Sequence, residues 1–420
     1  MARRVLVLGA GIIGLSSAWH ALRRGFQVTV VDRGDSPRDG CSFGNAGMVV
    51  PSHFIPLAAP GVVWQGLKWM WNPESPFYIR PRLSPSLLAW GWRFWRASSP
   101  RRVEAAAPLL RDLNFASRDL YEQWAADADS GPGDFGLERN GLLMLCRTGA
   151  GFEEEARFAE RANGLGVPAR VLDAGAARTM EPGLELDIEG AVFFPKDAHL
   201  DPNRLMAGLE SRCRAMGAEF HFRTEVTGFG RDGVRLGSVF TSGGELEADQ
   251  VVLAAGSWSP LVARNLGLGL PMQAGKGYSL TLEKPRKRLS LCSILTEARV
   301  AVTPMGGRLR VGGTMELSGL NESVAQSRVR GIVRSFCGYY PDFTESDFSS
   351  IEPWRGLRPC TPDGLPYLGR SRKVPNLVVA TGHAMMGLSL GPVTGKIAGE
   401  LLDNAPPSID IRLLDPQRYG

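Results

Sequence analysis

The sequence predicts an α/β protein of two domains, and three observations carry that expectation. The chain opens on a short apolar strand, a glycine motif, a helix and a second strand that ends in an acid. Strand patterns that run into small residues and glycine recur at Leu246–Gly256 and Asn376–His383. The 420 residues, 44% hydrophobic and 22% charged, exceed one ordinary domain of about 150 residues and can bury a sizeable core.

The opening unit is the most informative. Val5-Leu6-Val7-Leu8 is a continuous apolar run of the kind a buried parallel strand shows. Gly9-Ala10-Gly11-Ile12-Ile13-Gly14 follows, then helical spacing from Leu15 to Arg24, Gly25, and a second strand over Gln27–Val31 leading to Asp32-Arg33. In this pattern Gly9 permits the tight turn, Gly11 lets a pyrophosphate approach the backbone, and Gly14 lets helix and strand pack closely. The helix N-terminus offers free N–H groups to phosphates, and Asp32 is placed to accept hydrogen bonds from ribose hydroxyls. A Rossmann-like dinucleotide site is expected here. The motif alone does not separate NAD from FAD.

The rest of the chain separates them. Ser42-Phe43-Gly44-Asn45-Ala46-Gly47, Pro51–Gly61 with His53, Gly275-Lys276-Gly277-Tyr278-Ser279, Arg358-Pro359 before Thr361-Pro362-Asp363-Gly364, and the turn Gly382-His383 through Met386-Gly387-Leu388 stand in one order. With these motifs the chain resembles, over nearly its whole length, the FAD-dependent D-amino-acid oxidase and dehydrogenase superfamily. It is most similar to the bacterial D-amino-acid and D-hydroxyproline dehydrogenases. The resemblance implies a discontinuous FAD-binding domain and a mixed α+β substrate domain. It places FAD against Gly9, Gly11, Ile12, Ile13, Gly14, Asp32, Arg33, Ser42, Asn45, Ala46, Gly47, Val226, Ala255, Gly256, Gly382, His383, Met386, Gly387 and Leu388. Where some superfamily members attach flavin to a cysteine, this chain has Gly356, so non-covalent FAD is expected.

The expected FAD domain comprises residues 1–60, 198–262 and 350–420; residues 61–197 and 263–349 form the substrate domain. Asp201 followed by Pro202 reads as the N-cap and first position of a helix from about Asn203 to Met216. Six of the ten tryptophans lie between Trp64 and Trp95, and residues 75–103 carry six arginines and no Asp or Glu. A helical face of Leu87, Leu88, Gly91, Phe94 and Trp95 beside Arg93 and Arg96 suits either a packed core or the interface of an anionic membrane.

For chemistry, Arg358 is the leading carboxylate anchor, since a guanidinium meets a carboxylate with a planar fork of donors. The superfamily arginine matching this position binds the substrate carboxylate. Tyr278 is read as a second carboxylate contact or as a packed strand tyrosine, and His53 as a pocket residue or a buried, satisfied histidine. Met385, with Met386 next to it, stands where related glycine oxidases carry an arginine, which implies an apolar wall. A D-amino acid, plausibly D-proline or hydroxyproline, would lose a hydride to FAD, and the electrons would pass to a quinone or other carrier. An oxygen-using oxidase of the same fold, an NAD(P) dehydrogenase sharing only the opening motif, and an inactive subunit stay open as alternatives.

Composition narrows the rest. A net charge of +5 does not imply nucleic acid. Six cysteines without a CxxC and five scattered histidines argue against a disulfide scaffold or a metal site. No apolar run approaches the roughly 20 residues of a membrane span. The first apolar stretch enters a glycine motif rather than a cleavage site, so a cytoplasmic chain is expected, with membrane contact at the inner face and homo-oligomers both possible.

Overall fold

A computed structural model describes residues 3–35, 40–70, 72–127 and 131–419. Its first sheet has six strands in the order Tyr367–Arg370, Leu377–Thr381, Gln250–Leu253, Arg4–Leu8, Gln27–Val31 and Glu219–His221. All neighbours are parallel except the antiparallel edge pair Tyr367–Arg370 with Leu377–Thr381. Both faces of Arg4–Leu8 are covered, which is why it reads as an unbroken apolar run. Val5 and Val7 join a core built with helices, while Leu6 and Leu8 join one beneath a three-stranded meander, Val226–Asp232, Arg235–Thr241 and Gly244–Glu247.

The helix Ile12–Leu22 begins three residues before the predicted Leu15, and Gly25 sits past its end at φ +77°. Almost every residue of this helix is buried because the C-terminal helix Gly391–Leu402 lies directly on it. Small residues make that possible. A Cβ on Gly395 would sit 2.4 Å from the Ser16 backbone, and one on Gly391 would sit 2.6 Å from Ile12 Cγ1. The helix predicted from Asn203 spans Pro202–Ala215, with Asp201 capping the N–H groups of Asn203 and Arg204.

The second sheet has nine strands. Eight run in the order Trp354–Cys360, Gln273–Leu282, Arg308–Leu317, Val300–Met305, Cys292–Leu295, Leu142–Cys146, Gly190–Phe194 and Arg170–Asp173. The ninth, Phe77–Ile79, pairs in parallel with Arg308–Leu317. One strand departs from the expected division. Trp354–Cys360, assigned by sequence to the FAD domain, pairs antiparallel with Gln273–Leu282 along seven residues and so belongs to this sheet. Its partner is far away in sequence, so nothing local marks the pairing. The helix Gln326–Tyr339 covers the outer face of the sheet, packing Val329, Ile332 and Phe336 on Leu280, Val302 and Val311.

The Trp-rich stretch also departs in detail. In the helix Pro85–Ala97 the buried face is Trp90, Phe94 and Ala97, while Leu88, Trp92 and Trp95 point outward. Only the Trp90 side of that helix is core. No helix among the described residues is long and apolar enough to cross a membrane.

Candidate active site

A single continuous cavity of about 1950 Å³ runs between the two sheets. Every residue proposed from sequence for cofactor or substrate borders it except Gly14 and Gly47. Those two act behind the wall. A Cβ on Gly14 would lie 1.8 Å from the Gly9 carbonyl oxygen, and one on Gly47, at φ +77°, would lie 2.3 Å from that of Leu200.

At one end the backbone is shaped for a dinucleotide. Gly9 turns at φ +110° with its N–H on the Val31 carbonyl, and any Cβ there would meet the Ala254 oxygen at 2.5 Å. A Cβ on Gly11, by contrast, would touch only the Ser42 Oγ, at 3.3 Å. Gly11 caps the helix without a side chain, and Ser42 Oγ accepts from the Ile12 N–H. The first turn therefore faces the cavity with the positive end of its dipole. Asp32 holds the turn before it holds any ligand, since its two oxygens accept from the Ala10 and Gly34 N–H groups, each at 2.7 Å. Its remaining lone pairs fit ribose hydroxyls. Arg33 stacks over Trp258 at 3.8 Å, and Val226, Ala255 and Gly256 complete this wall.

The loop from Ser42 to Gly47 is fixed from the other domain by a residue the motif search did not single out. Arg310, buried on the second sheet, donates to the Phe43 and Asn45 carbonyls, and burial brings its guanidinium down to about 10. Asn45 Oδ1 accepts from the Gly47 N–H, and Ser279 Oγ donates to the Gly44 carbonyl. A buried arginine within an alternating strand was the available signal; it identifies a tether only once the facing loop is known.

At the other end Gly382 turns at φ +82° and leads into His383, Ala384 and Met386 through Leu388. His383 Nε2 pairs with Thr394 Oγ1 at 3.0 Å, and burial lowers the imidazole to about 3, so the ring is neutral. Its Nδ1 is buried without a hydrogen-bond partner among the described residues, as suits a site completed by a polar ring system. Met385 is 45% exposed at the rim, a poorer match to an inner apolar wall than the sequence suggested.

Arg358 lies between the sheet and this turn. Its guanidinium packs over Gly277, where a Cβ would fall 2.1 Å from a terminal nitrogen, and donates to the Thr314 carbonyl. No carboxylate among the described residues pairs with it, and burial lowers its pKa while Cys41 and Cys360 are its charge neighbours. Thr314 was not singled out by sequence. It sits at φ +67°, a strained conformation for a β-branched residue, beside a register shift between Lys276 and Tyr278. That bulge turns a carbonyl toward Arg358.

Tyr278 is not placed as a carboxylate contact. Its hydroxyl donates to Glu316 at 2.9 Å and accepts from the Ala325 N–H, within the core under the helix Gln326–Tyr339. Strand alternation explains this: on Gln273–Leu282 the side chains of Lys276 and Tyr278 share a face, and Lys276 pairs with the same Glu316. His53 is half-buried and borders the cavity, with Nδ1 2.9 Å from Ser52 Oγ.

A parallel sheet with a glycine turn at a helix start, opening onto a cavity lined by an arginine with no carboxylate partner among the described residues, defines the class of dinucleotide-dependent oxidoreductases. The chain belongs to the FAD dependent oxidoreductase (DAO) family, which it matches over residues 4–401, and its cofactor is FAD. Curated relatives named D-amino acid dehydrogenase include those of Sinorhizobium medicae and Granulibacter bethesdensis. These are 34% and 32% identical over 99% of this chain and all of the relative. Among solved structures, a glycine oxidase from Geobacillus kaustophilus superposes with a TM-score of 0.80 at 25% identity over the whole of both chains. An L-proline dehydrogenase from P. horikoshii shares the fold at a TM-score of 0.75 and 18% identity, covering all of this chain and 98% of the other.

Proposed function

We propose that the protein oxidises a D-amino acid to the imino acid and passes the electrons to a quinone or similar carrier. The observation that carries this reading is Arg358, a buried guanidinium with no carboxylate partner among the described residues, at the end of the cavity beside the Gly382–Leu388 turn. A guanidinium drawn out of water without a carboxylate partner is costly unless a ligand supplies the anion. Relatives at 32–34% identity along the full chain carry the name D-amino acid dehydrogenase, which supports the stereochemistry.

FAD, held without a covalent bond, would supply a two-electron acceptor for the hydride lost from the substrate Cα. The residues of the chain bind and orient. Gly9 through Gly14 and Asp32 hold the dinucleotide, Arg310 keeps the Ser42–Gly47 loop in place, and Arg358 with Thr314 fixes the carboxylate. The neutral His383 adds no second cation beside the Arg358 guanidinium. D-proline and cis-4-hydroxy-D-proline suit the apolar surroundings of Met386. For the acceptor, Trp64, Leu83, Leu88, Trp92 and Trp95 are all more than half exposed, and the last four lie within residues 75–103, which carry six arginines and no acid. This supports contact with the cytoplasmic face of an anionic membrane, where a quinone resides.

Stopped-flow flavin reduction tests the anchor. Arg358→Ala is expected to bind FAD yet lose about 2–5 kcal/mol toward an amino acid, roughly 30-fold to several-thousand-fold at low substrate. Arg358→Lys recovers part of the loss, because the charge stays and the fork goes. An amino amide is already poor with the wild type and loses little more with Arg358→Ala. Equal losses for acid and amide make Arg358 structural and overturn the reading.

A further inference from the structure

A hydride leaves Cα readily only when the neighbouring nitrogen has a free lone pair, whereas an amino acid in neutral water carries an ammonium. One proton must therefore leave the nitrogen, and the cavity wall contains a path for it. We propose that His53, Ser52 and Asp197 form a proton relay that takes the ammonium proton of the bound substrate out of the cavity. The inference rests on amino-acid oxidation as the reaction.

The path is set by topology. Met48–Val49 pairs antiparallel with Ala198–His199, Val49 facing Ala198, which brings the segment after Val49 beside the residue before Ala198. Ser52 Oγ donates to Asp197 Oδ2 at 2.5 Å, and the Ser52 N–H donates to Oδ1 at 3.0 Å. The hydroxyl hydrogen is thus committed to Asp197. The 2.9 Å contact with His53 then runs from Nδ1–H to Ser52 Oγ, which leaves the Nε2 lone pair free, with no partner among the described residues. Ser52 and His53 border the cavity; Asp197 lies beneath them, 1% exposed.

A proton arriving at His53 Nε2 releases Nδ1–H to Ser52 Oγ, and the serine releases its own to Asp197. Each transfer breaks one bond to hydrogen and makes the next, and no electrons move between atoms of different oxidation state. The result is a neutral amine, a neutral carboxylic acid and the other histidine tautomer. The reverse path discharges the proton to water once product has left.

The environment suits these roles. Burial raises the Asp197 carboxyl to about 7 against the pull of Ser52 and Arg118, so it can take up and release a proton near neutrality. Burial and then Arg299 lower His53 to about 4, so it passes the proton on rather than keeping it. Cys292, also facing Asp197, has its thiol held far above its usual value and stays neutral. His53 is the catalytic residue of this set; Ser52 and Asp197 act through it.

The test uses the FAD-loaded protein and the variants Ser52→Ala and Ser52→Thr. The first keeps the backbone bond to Asp197, so the loop is retained, and the second keeps the hydroxyl. Anaerobic flavin reduction by D-proline and D-alanine is followed from pH 6 to pH 10. Ser52→Ala is expected to lose on the order of 100-fold at pH 7, within the range of general base catalysis. It regains most of this at pH 10, where solution removes the proton, and Ser52→Thr keeps the wild-type profile. A loss of the same size at every pH, or none, overturns the relay. A wild type reduced by no amino acid overturns the reaction instead. A second measurement needs no turnover: infrared difference spectra on adding 2-aminoisobutyrate, which has no Cα hydrogen, at pH 8, above the value of about 7 to which burial raises Asp197. The wild type is expected to gain a protonated-carboxyl band that is lost in Asp197→Asn and in Ser52→Ala. No such band in the wild type, or the same band in Ser52→Ala, overturns the relay.

Discussion

The two ends of the cavity are built on different principles. At the dinucleotide end the wall is backbone: Gly9 and Gly14 bring a turn, a helix and two strands closer than any side chain allows. At the ring end the wall is side chains borrowed from separated strands, where Arg358 rests on Gly277 and reaches the Thr314 carbonyl across a bulge. The first end is rigid because its atoms are within one hydrogen-bonded turn of each other. The second depends on a rotamer and on one strained residue, so small changes there are expected to shift affinity rather than abolish the fold.

The largest expected effect tests the rigid end. In Gly14→Val a Cβ would have to share space with the Gly9 oxygen 1.8 Å away, a backbone atom that cannot step aside. The purified protein, if it folds, is expected to be colourless, with no flavin absorbance. Gly11→Ala meets only the movable Ser42 Oγ and is expected to fold with weakened FAD binding. A Gly14→Val protein as yellow as the wild type would erase the contrast between the two ends.

That contrast also explains what could be read from the residues alone. The opening unit was legible because each of its constraints falls within a few residues: Gly9 against Gly14, Asp32 against Ala10 and Gly34. The Asp201 cap was legible for the same reason. Thr314 and Arg310 were not, since their roles exist only once a strand meets a partner or a loop distant from it in sequence. The two readings of Tyr278, carboxylate contact or packed strand tyrosine, stayed open for the same reason. A motif can place a tyrosine near a site, but which face of the strand it occupies is decided by register and by a bulge. The strand Trp354–Cys360, which carries Arg358, belongs to the other sheet, and a one-dimensional division has no means of following that crossover.

Between the two ends, the Thr361–Gly364 turn is braced by an ion pair of intermediate consequence. Arg418 Nε and a terminal nitrogen meet the Asp363 oxygens at 2.7 and 2.9 Å, both side chains about one-seventh exposed. Burial alone would raise the Asp363 carboxyl, but Arg418 outweighs it and holds the group below its usual value. Asp363→Asn strands a buried guanidinium and is expected to cost about 3–5 kcal/mol, read as a lower melting temperature at pH 7. A depressed carboxyl contributes its stability above the unfolded-state value and loses it as pH falls through the folded one. The wild-type advantage over Asp363→Asn should therefore be constant near neutrality and shrink on acidification below pH 4. An advantage that persisted unchanged into acid would mean the asparagine acts through packing and not through the lost charge.

The smallest expected effect is the most discriminating for the ring end. Gly277→Ala leaves the backbone pairing with Gly356 intact, since alanine is tolerated in a strand at this position's ordinary φ. Its methyl would occupy the place now held by the Arg358 guanidinium, 2.1 Å away, and the side chain must turn off its rotamer. A displaced rotamer costs about 0.5–1.5 kcal/mol, so carboxylate affinity is expected to fall by up to about tenfold with flavin fully bound. Titration of the bound flavin with propionate, a carboxylate that carries no amine, reads this directly. Arg358→Ala should show little propionate binding whether or not Gly277→Ala is added, because both changes act on one guanidinium. Additive losses in the double variant would mean that Gly277 serves the pocket by its own small size, and that Arg358 is positioned by the Thr314 carbonyl alone.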